Sequence, residues 1–208
     1  MIKLCGMRRS EDISYCNECL PDYIGFIFAE SKRKVTSEFA LKLRSGLEPK
    51  IKTVGVTVNA PIEFFDEIRS AADIFQLHGN EDAGYIAELR RLFPEKELWK
   101  AGRIRSEADI DALAELPADK FVLDAFSAEA YGGTGKKIDE KLLAYAKKAL
   151  TKPFFIAGGI DSSNIADIIK TYTPYGVDLS SGIETDGFKD RAKMLEITEI
   201  YNKLTEEK

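Results

Sequence analysis

With 208 residues, 44% of them hydrophobic and 31% charged, the chain has material for one sizeable core and is short for two. A net charge of −5 offers no basic field to nucleic acid or an anionic membrane surface, and no apolar stretch approaches the ~20 residues of a spanning helix. Three cysteines do not make an exported disulfide framework and no charged-then-apolar leader opens the chain, so the expectation is a cytoplasmic protein with reduced thiols.

Apolar runs rich in β-branched and aromatic residues occupy positions 2–6, 23–28, 52–58, 74–79, 98–104, 120–126, 154–160 and 176–183. Eight runs beginning ~25 residues apart have the period of a strand, a helix and two loops. Between the first two, the stretch from Ser10 to Leu20 reads as a helix with Ile13, Cys16 and Leu20 on one face. Cys16-Asn17-Glu18-Cys19 then reads as core packing. A zinc site would need a second ligand pair, and the only histidine is His78; a redox motif would follow a strand. After the third run, Asn59-Ala60-Pro61 predicts a helix start, with Phe64, Phe65 and Ile68 as its apolar stripe. Tyr85, Ile86, Leu89, Leu92 and Phe93 repeat at helical spacing and Pro94 stops them. Ser106 to Asp109 resembles a capping box ahead of Ile110 and Leu113. Stripes at Leu142, Leu143, Ala146, Ala149 and Leu150, and at Ile165, Ile168 and Ile169, predict two more helices, and residues 190–204 a last one. No linker or composition break divides the chain. The reading is an α/β protein, one (β/α)8 TIM barrel domain over residues 1–208. An open doubly wound sheet is the alternative, but no Gly-x-Gly-x-x-Gly follows the first strand.

Barrel chemistry sits where the C-terminal strand ends meet their loops. Those ends carry Cys5-Gly6, Phe28-Ala29, Val58-Asn59, His78-Gly79, Arg103, Asp124, Gly158-Gly159 and Ser180-Ser181-Gly182. A thiol at Cys5 and a carboxylate at Asp124 would share one mouth as a base and an acid. Gly158 and Gly159 after strand seven, with Ser180, Ser181 and Gly182 after strand eight, suit a phosphate held by backbone N–H groups; glycines that merely make tight turns are the alternative. Gly132-Gly133-Thr134-Gly135 lacks the full P-loop pattern and is a weak signal alone. Ser31-Lys32-Arg33-Lys34 is an ordinary solvated charge run unless Arg33 forks onto a carboxylate. His78 is equally readable as a base or as a packing residue. No carboxylate or histidine cluster supports a metal.

As a set, these strand ends resemble phosphoribosylanthranilate isomerase, a tryptophan-pathway family. The resemblance is carried, in order from residue 2 to about 190, by eight stretches. They are Lys3-Leu4-Cys5-Gly6, Gly25-Phe26-Ile27-Phe28 with Ser31-Lys32-Arg33, Val54 to Asn59, Gln76-Leu77-His78-Gly79, Leu123-Asp124-Ala125, Gly132 to Lys136, Ala157-Gly158-Gly159-Ile160, and Gly176 to Glu184. It implies a cofactor-independent Amadori rearrangement of N-(5-phosphoribosyl)anthranilate to 1-(2-carboxyphenylamino)-1-deoxyribulose 5-phosphate. It also implies Asp124 as general acid at the furanose oxygen, and Cys5, as thiolate, as general base at C2. Arg33 would meet the anthranilate carboxylate, Asp178 the sugar hydroxyls, His78 the substrate, and Gly158, Gly159, Ser180, Ser181 and Gly182 the phosphate. The acid must carry its proton when it acts, and a free thiol is mostly protonated near neutrality, so the site has to favour the thiolate.

The chain departs from the family's usual pattern at Lys32, commonly proline, and Lys34, commonly aromatic. It departs again at Thr185-Asp186-Gly187-Phe188, where Pro-Gly commonly precedes Lys-Asp. These positions bear on loop shape and affinity, and leave the acid and base in place. The nearest rivals are the histidine-pathway aminoaldose isomerase, which has acidic residues at both catalytic strand ends and a two-fold repeat not found here, and a non-catalytic barrel binding a phosphorylated metabolite. The expected partner is a phosphorylated small molecule, with no nucleic acid and no membrane, and the protein is a monomer or a homodimer.

Overall fold

The computed structural model describes residues 1–125 and 138–206; the Gly132-Gly133-Thr134-Gly135 motif and Phe126 lie outside the described residues. Eight short strands form: β1 (Ile2–Cys5), β2 (Tyr23–Ile27), β3 (Lys52–Thr57), β4 (Ile74–Leu77), β5 (Glu97–Ile104), β6 (Lys120–Ala125), β7 (Phe154–Ala157) and β8 (Gly176–Leu179). They pair parallel in chain order, and β8 returns to β1 through Ile2↔Val177 and Leu4↔Leu179, closing the (β/α)8 barrel.

The strands are apolar on both faces because each face is covered. Inward residues Tyr23, Val54, Val56, Ile74, Trp99, Ala101, Val122, Phe155 and Ala157 fill the lumen together with Cys5. Trp99 stacks on Phe155 with ring centroids 4.6 Å apart, and Tyr23 meets Trp99 edge-on at 5.1 Å. Outward residues such as Leu4, Phe26, Phe75 and Leu123 join the helical stripes in a second, larger core. The helices are α1 (Ser10–Cys19), α2 (Ser37–Arg44), α3 (Phe64–Ile68), α4 (Ala83–Leu92), α5 (Glu107–Ala114), α6 (Glu140–Ala149), α7 (Ile165–Tyr172) and α8 (Arg191–Glu206). No helix among the described residues is long and apolar enough to cross a membrane.

Cys16 and Cys19 are buried free thiols, and Cys16 Sγ lies 3.6 Å from the Met7 thioether, so the core reading of this pair stands. Leu20 does not share their face. It sits in the left-handed conformation at the α1 C-cap, φ 51°, and is exposed, while Cys19 takes the buried place. The capping box at Ser106 and Asp109 forms as expected.

Helix α3 begins at Phe64, later than Asn59-Ala60-Pro61 suggests. Asn59, at φ 47°, instead ties two loops: its N–H donates to Glu81 at 2.8 Å, and its Oδ1 accepts from the Asn80 N–H at 2.7 Å. Helix α2, capped by Thr36, is not signalled by the periodicity; Phe39 and Leu41 remain exposed on it and blur its stripe. Strands seven and eight are shorter than their apolar runs. Gly158 and Gly159, at φ 85° and 62°, break the extended path, and Ser181–Ile183 turns into a 3-10 segment.

Beyond that segment, β9 (Glu184–Thr185) and β10 (Phe188–Lys189) make a two-residue hairpin with Asp186 at φ 52° and Gly187 at φ 78°. Two positive φ values in a row are what such a tight hairpin turn demands, and Asp-Gly tolerates them.

Candidate active site

At the C-terminal mouth of the barrel lies a cavity of about 310 Å³ lined by Cys5, His78, Asp124, Asp178 and Arg33, with Gly158, Gly159, Ser180 and Ser181 at one side. Cys5 ends β1 and pairs in register with Gly25 of β2. A β-carbon at position 25 would stand 2.6 Å from the Cys5 sulfur, so only glycine leaves room for the thiol. Asp124, near the end of β6, is 3% exposed. His78 Nε2 lies 3.3 Å from Asp124 Oδ2, within electrostatic reach but off the line of a hydrogen bond. The β7 loop comes close to the same carboxylate: a β-carbon on Gly158 would lie 3.0 Å from Asp124 Oδ1.

Two charge clusters frame the cavity. Lys3, one pleat below Cys5 on β1 and fully buried, donates to Asp178 Oδ2 of β8 at 2.7 Å. Burial disfavours the charged ammonium, yet Asp178 and then Cys5 outweigh it and hold the Lys3 pKa above that of an ordinary lysine. Burial likewise pushes the Asp178 carboxyl up against the pull of Lys3, and pushes the Cys5 thiol up against Lys3 and Lys189. The second cluster centres on Glu184. Arg33 donates to it through Nε at 2.6 Å and Nη2 at 2.7 Å, and Lys189 reaches the same carboxylate at 2.7 Å. Burial opposes ionisation of Glu184, but the two cations prevail and hold its pKa at about 2.

Lys189 also donates to the Ser180 carbonyl at 3.0 Å, which couples the hairpin to the β8 loop. The hairpin is clamped from the other side by the loop after β1. Arg8 donates to the Gly187 carbonyl and Arg9 to the Lys189 carbonyl, and both guanidinium groups lie over the Phe188 ring at 4.7 and 4.8 Å. The segment that departs from Pro-Gly therefore builds a strap that ties the loop after β1 to the loop after β8.

Known proteins share this barrel and its sequence. The family model for N-(5'phosphoribosyl)anthranilate (PRA) isomerase matches residues 2–200. The chain belongs to this family. The N-(5'-phosphoribosyl)anthranilate isomerase of Thermoanaerobacter pseudethanolicus is 43% identical over 195 residues, covering 93% of each chain. That of Acetivibrio thermocellus is 42% identical over 200 residues, covering 93% of this chain and 91% of its own. Among solved structures, the phosphoribosyl anthranilate isomerase of Thermus thermophilus superposes with a TM-score of 0.85 at 26% identity, covering 98% of each chain. A phosphoribosyl anthranilate isomerase in complex with reduced 1-(o-carboxyphenylamino)-1-deoxyribulose 5-phosphate gives a TM-score of 0.80 at 27% identity over 97% of this chain and 98% of that one.

Against the family expectation, the structure brings Cys5, Arg33, His78, Asp124, Asp178, Gly158, Gly159, Ser180 and Ser181 around one cavity and leaves Gly182 out of its lining. Gly182 packs on the β7 loop instead, where any side chain would overlap the Ile160 carbonyl. Helix α7 starts at Ile165, with Asn164 bonding back to the Gly159 carbonyl at 2.8 Å. Arg33 is not solvated surface: it is 5% exposed and packs its stem over Gly6, φ 88°.

Sequence reasoning gives no role to Lys3, Glu184, Lys189 or Gln76. Lys3 is signalled only by a lysine two positions before Cys5 on an otherwise apolar strand, hence on the same face. Gln76 Oε1, His78 Nε2 and Asp178 Oδ1 are buried polar atoms without a hydrogen bond, and all three residues line the cavity. Buried polar atoms are normally satisfied, so these three leave hydrogen-bonding capacity open toward the cavity.

Proposed function

We propose that in this phosphoribosylanthranilate isomerase Cys5 is the general base and Asp124 the general acid of the rearrangement. Family membership supplies the reaction: N-(5'-phosphoribosyl)anthranilate, an aminoaldose, becomes 1-(2-carboxyphenylamino)-1-deoxyribulose 5-phosphate, an aminoketose. What supports the assignment of the pair is that a thiol and a carboxylic acid from β1 and β6 line one cavity, alongside paired glycines and serines of the β7 and β8 loops.

Asp124 gives its proton to the furanose oxygen as the C1–O bond breaks, and the anthranilate nitrogen lone pair forms the C1=N iminium. The Cys5 thiolate takes the proton from C2, whose bonding pair becomes the C1=C2 double bond while the iminium electrons return to nitrogen. The enolamine then loses its hydroxyl proton and gains one at C1, giving the ketone. Each step is a proton transfer with no net oxidation of the enzyme, so the chemistry asks for no redox cofactor and no metal. The iminium brings positive charge toward the thiolate as it forms, which favours the charged base when it is needed.

Arg33, held flat by Glu184, presents its guanidinium to the anthranilate carboxylate. Gly158, Gly159, Ser180 and Ser181 surround the phosphate with backbone N–H and hydroxyl donors. Asp178 and Gln76 accept from sugar hydroxyls. Residues 1–208 act as one barrel unit with a phosphorylated small molecule as partner.

The deciding experiment follows the loss of anthranilate-type fluorescence on conversion of substrate by wild-type and Cys5→Ala protein. Wild type is expected to turn over and Cys5→Ala to bind without turnover. Binding without turnover by the wild type would make the chain a metabolite-binding barrel.

A further inference from the structure

Lys3 has no solvent exposure, and an ammonium removed from water is costly unless other groups answer its charge. It stands in the barrel lumen one pleat beneath Cys5. Its ammonium donates to Asp178 Oδ2 at 2.7 Å, and its charge acts on the Cys5 sulfur two residues along the same face of β1. One cation is therefore shared by a carboxylate on β8 and a thiol on β1. We infer that Lys3 is a positioning residue for the isomerisation, its ammonium fixing the Cys5 sulfur toward the cavity and stabilising it as the thiolate. This rests on the reading of Cys5 as the base.

The charges around the sulfur support it. From β1 comes Lys3, from the β2 loop Arg33, from β10 Lys189, from β8 Asp178, and Glu184 of β9 binds both Arg33 and Lys189. Across the mouth, Asp124 and His78 form a separate pair. Three cations against two carboxylates leave one positive charge over in the cluster next to the sulfur. A thiolate at Cys5 balances it. Burial raises the thiol pKa, and the Lys3 ammonium opposes that rise more strongly than any other neighbour. Removing Lys3 should therefore leave a thiol that ionises with difficulty. Asp178 competes for the same ammonium. Neutralising Asp178 should leave all of the Lys3 charge to the sulfur and make ionisation easier.

These opposite signs give the test. Alkylation of Cys5 by iodoacetamide is followed against pH on the Cys5 peptide by mass spectrometry, which separates it from Cys16 and Cys19. Lys3→Met is expected to slow Cys5 alkylation tenfold or more at about pH 7.5, a midpoint moved up by about one pH unit or more, and Asp178→Asn to speed it severalfold. In turnover, Lys3→Met should lower kcat about tenfold near neutrality with little change in KM, the deficit shrinking as pH rises. Alkylation of Lys3→Met at the wild-type rate or faster, or of Asp178→Asn at the wild-type rate or slower, would overturn the inference, as would a kcat deficit equal at every pH. If Lys3→Met does not fold, the Asp178→Asn arm decides alone. Because alkylation is read without substrate, a wrong base assignment shows separately, as near-normal turnover in Cys5→Ser.

Discussion

As the proposed base and acid, Cys5 and Asp124 have opposite protonation requirements, and that difference can be read in a pH–rate profile. The base must have lost its proton and the acid must hold one. Cys5→Ser is expected to lose the limb of kcat that rises with pH, and Asp124→Asn the limb that falls. Each should lower kcat by roughly 10²–10⁴, and near-normal turnover in both would refute the pair. Glu184 is a different kind of residue, since its carboxylate is spent on Arg33 and Lys189. Its folded pKa of about 2 lies below the ordinary value of 4.5. The ionised form therefore stabilises the fold above the ordinary pKa, and that contribution is lost as pH falls from about 4.5 through about 2. The shift is worth on the order of 3 kcal/mol at neutral pH. Glu184→Gln should flatten the acid limb of a stability–pH curve in that window, measured by urea unfolding, and raise KM by releasing Arg33.

The strap β9–β10 shows what an element can do that its residues separately cannot. Its turn is held by Asp186 and Gly187 at positive φ, its ring by Arg8 and Arg9, and its inner lysine by Glu184 and Ser180. It links the loop after β1, which follows Cys5, to the loop after β8, which carries Ser180 and Ser181. Nothing lies within 4 Å of a β-carbon placed on Gly187, so a substitution there meets only backbone strain. Gly187→Val should cost about 1–3 kcal/mol locally, seen as faster hydrogen exchange in residues 184–190 and a severalfold higher KM, with Gly187→Asn much milder. The strap is not legible in the sequence beyond the departure from Pro-Gly, because hairpin geometry depends on what the turn packs against. The strand cadence, by contrast, is legible to within a residue or two at β1 through β6, since burial on both faces leaves each strand largely apolar.

The barrel as a whole stands on its lumen, where Trp99 stacks on Phe155 and both touch Tyr23. These side chains lie beneath the cavity and carry the floor on which Cys5 and Val122 rest. Trp99→Ala would leave a void there that fully packed neighbours cannot fill, costing about 3–5 kcal/mol. Denaturant unfolding should show that loss, and kcat should fall with it as the floor relaxes. Closure through β1 and β8 also explains why Lys3 and Asp178, 175 positions apart, meet at 2.7 Å.

The sequence by itself determined the eight-strand rhythm, the glycines at the β7 end, and the presence of a thiol and a carboxylic acid at strand ends, because periodicity and turn chemistry are local. The tertiary structure alone decided who partners whom. Arg33 is braced by Glu184 and is not free, Gly182 stands against the Ile160 carbonyl, and Lys3 pairs with Asp178 two residues from Cys5. Those facts depend on which strand ends the closed barrel makes neighbours, and on how little water reaches the charges they bring together.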